Sequence, residues 1–404
     1  MMGEWKRGWR VVVGAMVGSG FGMPLFYYVA SIFTIPMTAE FGSSRGEMAN
    51  IQALLVVGAL VAPFIGRLLD KHGFAWIFGI CTTLIVIAHL LMATVITSLT
   101  AFAFIAFVYG AAGVGCGPVA YTRPINAWFS TNRGLALGVA AIGSAITTIF
   151  VSPLLAYLVD TQGWRAGYGA LALFGGVVAL PIALLLIRDA PPEGVEEHTV
   201  SVEAHISQSF YRERDFWLLA LAILFMSIPG AGLLSQISPL VQDEGISAAA
   251  AAWAISAYAI GQFTGRIVAG WCLDHGNPRT VAIIFTVVPA LGFIMLSAMD
   301  LSLSLAVIAV GLVGVQQGAE IDLFAFFTAR RFGVARYGAV YGSIIACAWV
   351  GNAVGILTFG WLYTLFGSYT LPEMIAAGLL VIGAIFIAAV QIDPPGLAAA
   401  HLPR

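Results

Sequence analysis

Stretches of 18 or more apolar residues recur along the whole chain, and nothing else restricts its folding as much. A stretch that long matches the hydrocarbon core of a bilayer, where backbone polar groups must be bonded internally, so each reads as a transmembrane helix. Twelve are expected, at 9–36, 47–69, 74–97, 99–127, 134–157, 166–187, 215–240, 248–272, 279–299, 301–329, 336–362 and 371–391. Composition agrees, with 60% of the 404 residues hydrophobic and 9% charged, against about 25% charged in a soluble domain. The basic N-terminus resembles a signal peptide, but no small-residue cleavage site follows. The apolar run continues into Phe26, Tyr27 and Tyr28, so it is read as the first membrane helix.

The four cysteines, Cys81, Cys116, Cys272 and Cys347, lie in apolar segments without CxxC spacing, which points to packing rather than zinc or disulfides. Of the 18 basic residues, only Arg45 and Arg165 fall on the outer side if both termini are cytoplasmic. That asymmetry is the positive-inside pattern of an inner or plasma membrane protein. The longest interruption, residues 188–214, is charged and opened by Pro191-Pro192. It divides the chain into a six-helix bundle at 1–190, a cytoplasmic linker at 191–214 and a second six-helix bundle at 215–404.

The halves also look like repeats. Gly66 and Asp70 in GRLLDKHG match Gly270 and Asp274 in GWCLDHG at an offset of 204 residues, and Gly134/Gly338 and Gly138/Gly342 share it. Two parallel six-helix repeats enclosing a midplane cavity are the architecture of the major facilitator superfamily. Gly66-Arg67-Leu68-Leu69-Asp70-Lys71-His72-Gly73 resembles that superfamily's signature between helices two and three. Within it the chain is similar to the oxalate/formate antiporter and monocarboxylate porter branch. The matching residues are Tyr28-x2-Ser31-x-Phe33-x2-Pro36, Glu40-Phe41-Gly42-x2-Arg45, Trp128-Phe129-x3-Arg133-Gly134-x-Ala136-x-Gly138 and Gly163-Trp164-Arg165. The resemblance implies an all-α membrane protein that works by alternating access.

It also implies a conformational latch at Gly66, Arg67, Asp70, Lys71, Gly270 and Asp274, with Arg133 beside it. The segment 261–270, GQFTGRIVAG, resembles the helix-eight stretch where the branch places a substrate-binding arginine, here Arg266. A guanidinium fork suits a carboxylate because two parallel charge-assisted bonds fix both oxygens. Arg266 could instead neutralise Glu320 or Asp322. The lysine that the oxalate exchanger carries on helix eleven has no counterpart here; Ala348 stands near its position and Asn352 is a neutral alternative. One cation fits a monocarboxylate better than a dianion. Tyr27 and Tyr28 match an aromatic substrate-contact region, and tyrosines near an interface are also ordinary belt residues.

Arg123, five residues before Trp128 on helix four, either snorkels to the inner interface or faces the cavity and binds substrate. His89 reads as a packed histidine rather than a proton relay. Trp253, Tyr258 and Gln262 are softer path-lining candidates.

Glu320 and Asp322 lie in an otherwise uncharged segment, with Glu320 about 15 Å deeper than Arg330 along a helix. A charge at that depth costs at least roughly 2.5–3.5 kcal/mol, so both are candidates for proton coupling. Residues i and i+2 face different sides of a helix. Glu320 shares with Gln316 and Gln317 a polar face suited to a substrate cavity, which makes Gln316 a substrate-binding candidate, whereas Asp322 continues a stripe of Gly311, Gly314 and Gly318 suited to close helix packing. Glu320 is therefore the coupling candidate of choice, and Asp322 the better structural counter-ion. A permanently paired Glu320 is the competing reading.

The expected function is secondary transport of a small organic carboxylate with a proton, in a lipid bilayer. Efflux by proton antiport is the alternative, although the helix-five stretch GVAAIGSAITTIFVSPLLAYLVD lacks the glycine-proline spacing of such exporters. A non-transporting membrane sensor is a more distant one. No phosphate-binding loop, metal-ligand cluster or nucleophile elbow is apparent, so neither catalysis nor a cofactor is expected, nor is a nucleic-acid partner. Nothing in the sequence sets an oligomeric state.

Overall fold

The computed structural model describes residues 2–129, 132–189, 210–297 and 302–391. Every apolar stretch is helical. The helices are α1 (Glu4–Phe41), α2 (Arg45–His72), α3 (Phe74–Thr94), α4 (Leu99–Trp128), α5 (Leu135–Gln162), α6 (Trp164–Leu186) and α7 (Arg214–Asp243). They continue as α8 (Ala248–His275), α9 (Pro278–Leu296), α10 (Leu303–Phe332), α11 (Arg336–Phe366) and α12 (Thr370–Ala388). All but α8 are apolar enough, as well as long enough, to cross a membrane. α8 has the length, but carries Gln262, Thr264 and Arg266 in its middle. The expected linker lies mostly outside the described residues.

Local chemistry sets the helix ends. Ser44 and Glu47 form a reciprocal capping box that starts α2. Ser98 accepts from the backbone N–H of Ala101, and Ser302 accepts in the same way from Leu305. These two caps are 204 residues apart, the offset found in the sequence motifs. Gly163 and Gly367 share the same offset and both hold positive φ, at 86° and 67°, a conformation that glycine adopts without a Cβ penalty. The duplication is thus visible in the turns as well as in the motifs. α1 is interrupted at Gly22, and α4 at Gly117, each extended and each followed within two residues by a proline at the start of the next helical segment.

By their contacts the described residues form two compact units. One contains residues 2–189 with Leu234–Ala259, and the other contains 210–233 with 260–391. Close helix approach is achieved through small residues in both, as expected where lipid removes most of the hydrophobic drive between helices. In the first unit α1 lies against α5, with Ser19 donating to the carbonyl of Ala140 at 3.1 Å and Gly143 facing the backbone of Met16. Phe26 packs with His89, Tyr109 and Tyr168 at ring separations of 5.6, 4.8 and 6.1 Å. In the second unit α8 meets α10 backbone to backbone. Gly261 faces the carbonyl of Gly311, Gly265 that of Val315, and Gly318 that of Gln262; a Cβ on any of the three would clash. The contact stripe on α10 is therefore Gly311, Val315 and Gly318, which corrects the expected place of Gly314.

Candidate functional site

Two acids of the second unit lie two residues apart on α10 and are sorted by its faces. Glu320 is 2% exposed. Its Oε1 accepts a hydrogen bond from Ser227 Oγ of α7 at 2.5 Å, and its Oε2 accepts from Gln316 Nε2, one turn earlier, at 2.5 Å. Gln316 is fully buried. No cation pairs with Glu320 among the described residues. Ser227 reaches the carboxyl because α7 is closely packed there: its Cβ would lie 3.1 Å from a Cβ added to Gly351 of α11. Gly230, one turn beyond Ser227, leaves the space that the side chain of Gln317 occupies.

Asp322 turns to α8. Its Oδ2 lies 3.4 Å from Arg266 Nε, with both side chains about one-third exposed. Arg266 makes no hydrogen bond among the described residues, so its donors are not consumed by this pair. Tyr341 of α11 donates to the carbonyl of Ile321 at 3.4 Å and stacks on Tyr337 at 5.1 Å. Asn352 is half-buried on α11. Sequence reasoning missed Ser227, Tyr337 and Tyr341 as members of this group. The tyrosines are detectable as an i, i+4 aromatic pair; one serine flanked by apolar residues, in a helix that also holds Ser235 and Ser238, gives no comparable signal.

The other candidates lie in the first unit. Tyr27 and Tyr28 are half-buried on α1, and Tyr28 faces Tyr258 at a ring separation of 6.5 Å. Arg123 joins a cluster at the Asp70 end of the bundle. Its Nη1 donates to Asp189 Oδ1 at 2.9 Å, and its Nε is 3.7 Å from Asp70 Oδ1. Both oxygens of Asp189 accept from the backbone N–H of Phe74, each at 2.9 Å, which caps α3 with a negative charge. Trp128 Nε1 donates to the carbonyl of Arg188 at 2.8 Å and ties the end of α4 to the same strand of chain. Asp189 lies in the charged interruption at 188–214, and sequence reasoning did not single it out.

Arg67, Lys71 and Asp274 are exposed, and both Gly66 and Gly270 have open space around them. The side chain of Arg133 lies outside what is described. Beside it, the backbone and side-chain nitrogens of Asn132 donate to Glu4 at 3.1 and 3.0 Å. In the second unit, ties of related kind join Arg331 to Asp215 and Arg336 to Glu213, each at 2.5 Å. The opposite end of the first unit holds two more ion pairs. Arg45 binds both oxygens of Asp243 at 2.5 and 2.6 Å. Glu40 accepts from Arg165 at 2.8 Å and from Trp164 Nε1 at 2.6 Å, so the Glu40 and Trp164-Arg165 motifs are parts of one contact.

Twelve helices in two repeats, with charged groups held inside apolar spans, define a membrane transporter. Residues 11–244 and 226–403 each match the Major Facilitator Superfamily, and the chain belongs to that family. As a member of that family it is a multi-pass membrane protein and a transporter, not an enzyme. Monocarboxylate transporter 12 of Mus musculus is 26% identical over 303 residues, covering 66% of this chain and 62% of that relative, so the match spans less than two-thirds of the relative's length. The gallate transporter of Pseudomonas putida is 29% identical over 294 residues, with 61% and 63% covered. The crystal structure of a D-xylose-proton symporter superposes with a TM-score of 0.74 at 15% identity, covering 95% of this chain and 97% of that one; at that identity it speaks for the fold alone.

Proposed function

We propose that this transporter moves a small monocarboxylate together with a proton across the cell's inner or plasma membrane, with both termini cytoplasmic. The observation that carries the reading is the contrast on α10. Glu320 is buried with neutral partners only, while Asp322 is held to a cation. A buried carboxylate without a countercharge is costly, and a bound proton removes the charge. Asp322 serves as counter-ion to Arg266 rather than as a coupling group. In the second unit Arg266, with its remaining donors, engages the substrate carboxylate and Asn352 offers a neutral hydrogen bond; in the first unit Tyr27 and Tyr28 are the substrate-contact candidates. The names of the two relatives, a monocarboxylate transporter and a gallate transporter, support a carboxylate.

Two six-helix halves, 1–190 and 215–404 joined by 191–214, alternate access to this site. Asp70, Arg67, Lys71, Arg133 and Asp274 tune the exchange at their cytoplasmic ends, and Arg123 belongs with them rather than with the substrate. The test is uptake of a panel of labelled monocarboxylates into vesicles with an imposed pH gradient. Accumulation of at least one, abolished by collapsing the gradient, supports the reading. Transport of neutral solutes alone, indifferent to the gradient, overturns it.

A further inference from the structure

The carboxyl of Glu320 is held by two groups that can each give or take a hydrogen bond. A serine hydroxyl has one proton and two lone pairs, and a glutamine amide carries a donor and an acceptor on opposite sides. Asp322 is held differently, since a guanidinium only donates and carries a positive charge, which favours an ionised partner. In the arrangement present, Gln316 turns Nε2 to Glu320 and leaves its own Oε1 buried without a partner. Gln317 Oε1 is also buried without a partner. Both oxygens lie beside Gly230 of α7: a Cβ there would collide with Gln317 Oε1 and stand 3.7 Å from Gln316 Oε1. Two buried acceptors without a donor in one place are unusual enough to need a cause.

We infer that the Gln316 amide turns over when Glu320 takes up a proton, making Ser227 and Gln316 positioning residues that accommodate both forms of one buried carboxyl. The inference rests on Glu320 being the proton-binding group. With Glu320 ionised, Ser227 Oγ and Gln316 Nε2 both donate to it. A proton arriving from water forms an O–H bond at Oε2. After the amide turns, that O–H donates to Gln316 Oε1, and Nε2 moves to the Gly230 side, where it donates to Gln317 Oε1. Release returns the proton to water and reverses both rotations, and no other covalent bond changes.

The surrounding groups do not compete for this role. α10 contributes Asp322 and α8 contributes Arg266, which pair with each other, and α11 contributes Tyr341, which stacks on Tyr337 and donates to the carbonyl of Ile321. α7 has no titratable residue between Asp215 and Asp243. The amide is thus next to one proton-binding group, and Gln317 next to Gly230 supplies the acceptor that the turned amide needs.

The experiment is pH-difference infrared spectroscopy of the full chain in lipid vesicles, with glutamine side chains carbon-13 labelled. A carboxyl band that grows with acid and is lost in Glu320→Gln establishes the proton site. The inference expects a labelled amide band to shift at the same midpoint and to vanish in Gln316→Met, together with about a tenfold loss of gradient-driven accumulation in that variant. A titrating carboxyl band with no shifting amide band overturns the turnover and leaves proton binding by Glu320 standing. Absence of the carboxyl band overturns both. Because the amide band is read in the native protein, the result does not depend on the variant folding.

Discussion

Glu320 and Asp322 sit two residues apart on α10 yet bond to different helices, the first to Ser227 of α7 and the second to Arg266 of α8. The 3.6-residue turn separates them, and the two neighbouring helices supply unlike chemistry. One carboxyl is fully buried among neutral donors, the other partly exposed beside a cation. The roles proposed for them rest on that difference.

Asp322→Asn removes the counter-ion while keeping the side chain's shape. Because the pair is about one-third exposed, the expected loss of stability is less than about 1 kcal/mol. Thermal unfolding in detergent checks this. Gradient-driven accumulation should persist in the variant, and its disappearance would transfer the coupling role to Asp322.

Arg266→Lys keeps the charge and loses the fork. If the guanidinium holds the substrate carboxylate by paired charge-assisted bonds, affinity falls by about ten- to a hundredfold in a binding assay on purified protein. Unchanged affinity with a well-folded variant would remove Arg266 from the substrate site.

Arg45 and Asp243 form a bidentate pair with side chains 12% and 29% exposed. A double-mutant cycle with alanine at each position is expected to give a coupling of about 1 kcal/mol in thermal stability. The exchanged pair, Arg45→Asp with Asp243→Arg, should recover part of it, and added salt should weaken the native coupling. Additive single losses would show that the contact contributes nothing.

Asp189→Ala frees the N–H of Phe74 and one partner of Arg123. Loss of such a cap costs about 1–2 kcal/mol, read as a lowered unfolding midpoint. Asp189→Asn should fall between the two, since the amide oxygen still accepts from the backbone but no longer attracts the guanidinium. An alanine variant as stable as the native protein would make the cluster incidental.

The division of the two acids was legible because it depends on one helix alone. The glycine stripe was legible only in part: Gly311 and Gly318 meet α8, but Val315 rather than Gly314 faces Gly265, since the partner's register decides which residue is at the contact. Ser227 was hidden for a similar reason. Nothing in the sequence of α7 says that this serine, among apolar neighbours, stands opposite a carboxyl 93 residues away. Arg123 stood between interface and cavity until Asp189 appeared at its side, and Asp189 itself was one charge among many in the interruption that opens at Arg188. The repeat was legible in its motifs, and the structure extends it to the Ser98/Ser302 caps and the Gly163/Gly367 turns, where the two halves need the same backbone geometry.

The central claim is that Glu320 carries the coupling proton, and Glu320→Gln tests it most directly. The amide nearly preserves the size of the side chain and can still bond to Ser227 and Gln316, but it cannot bind or release a proton. Accumulation of labelled monocarboxylate driven by a pH gradient and exchange of substrate across equilibrated vesicles should be measured on the same preparation. Loss of accumulation with exchange retained is the predicted result. Accumulation equal to that of the native protein would contradict the account.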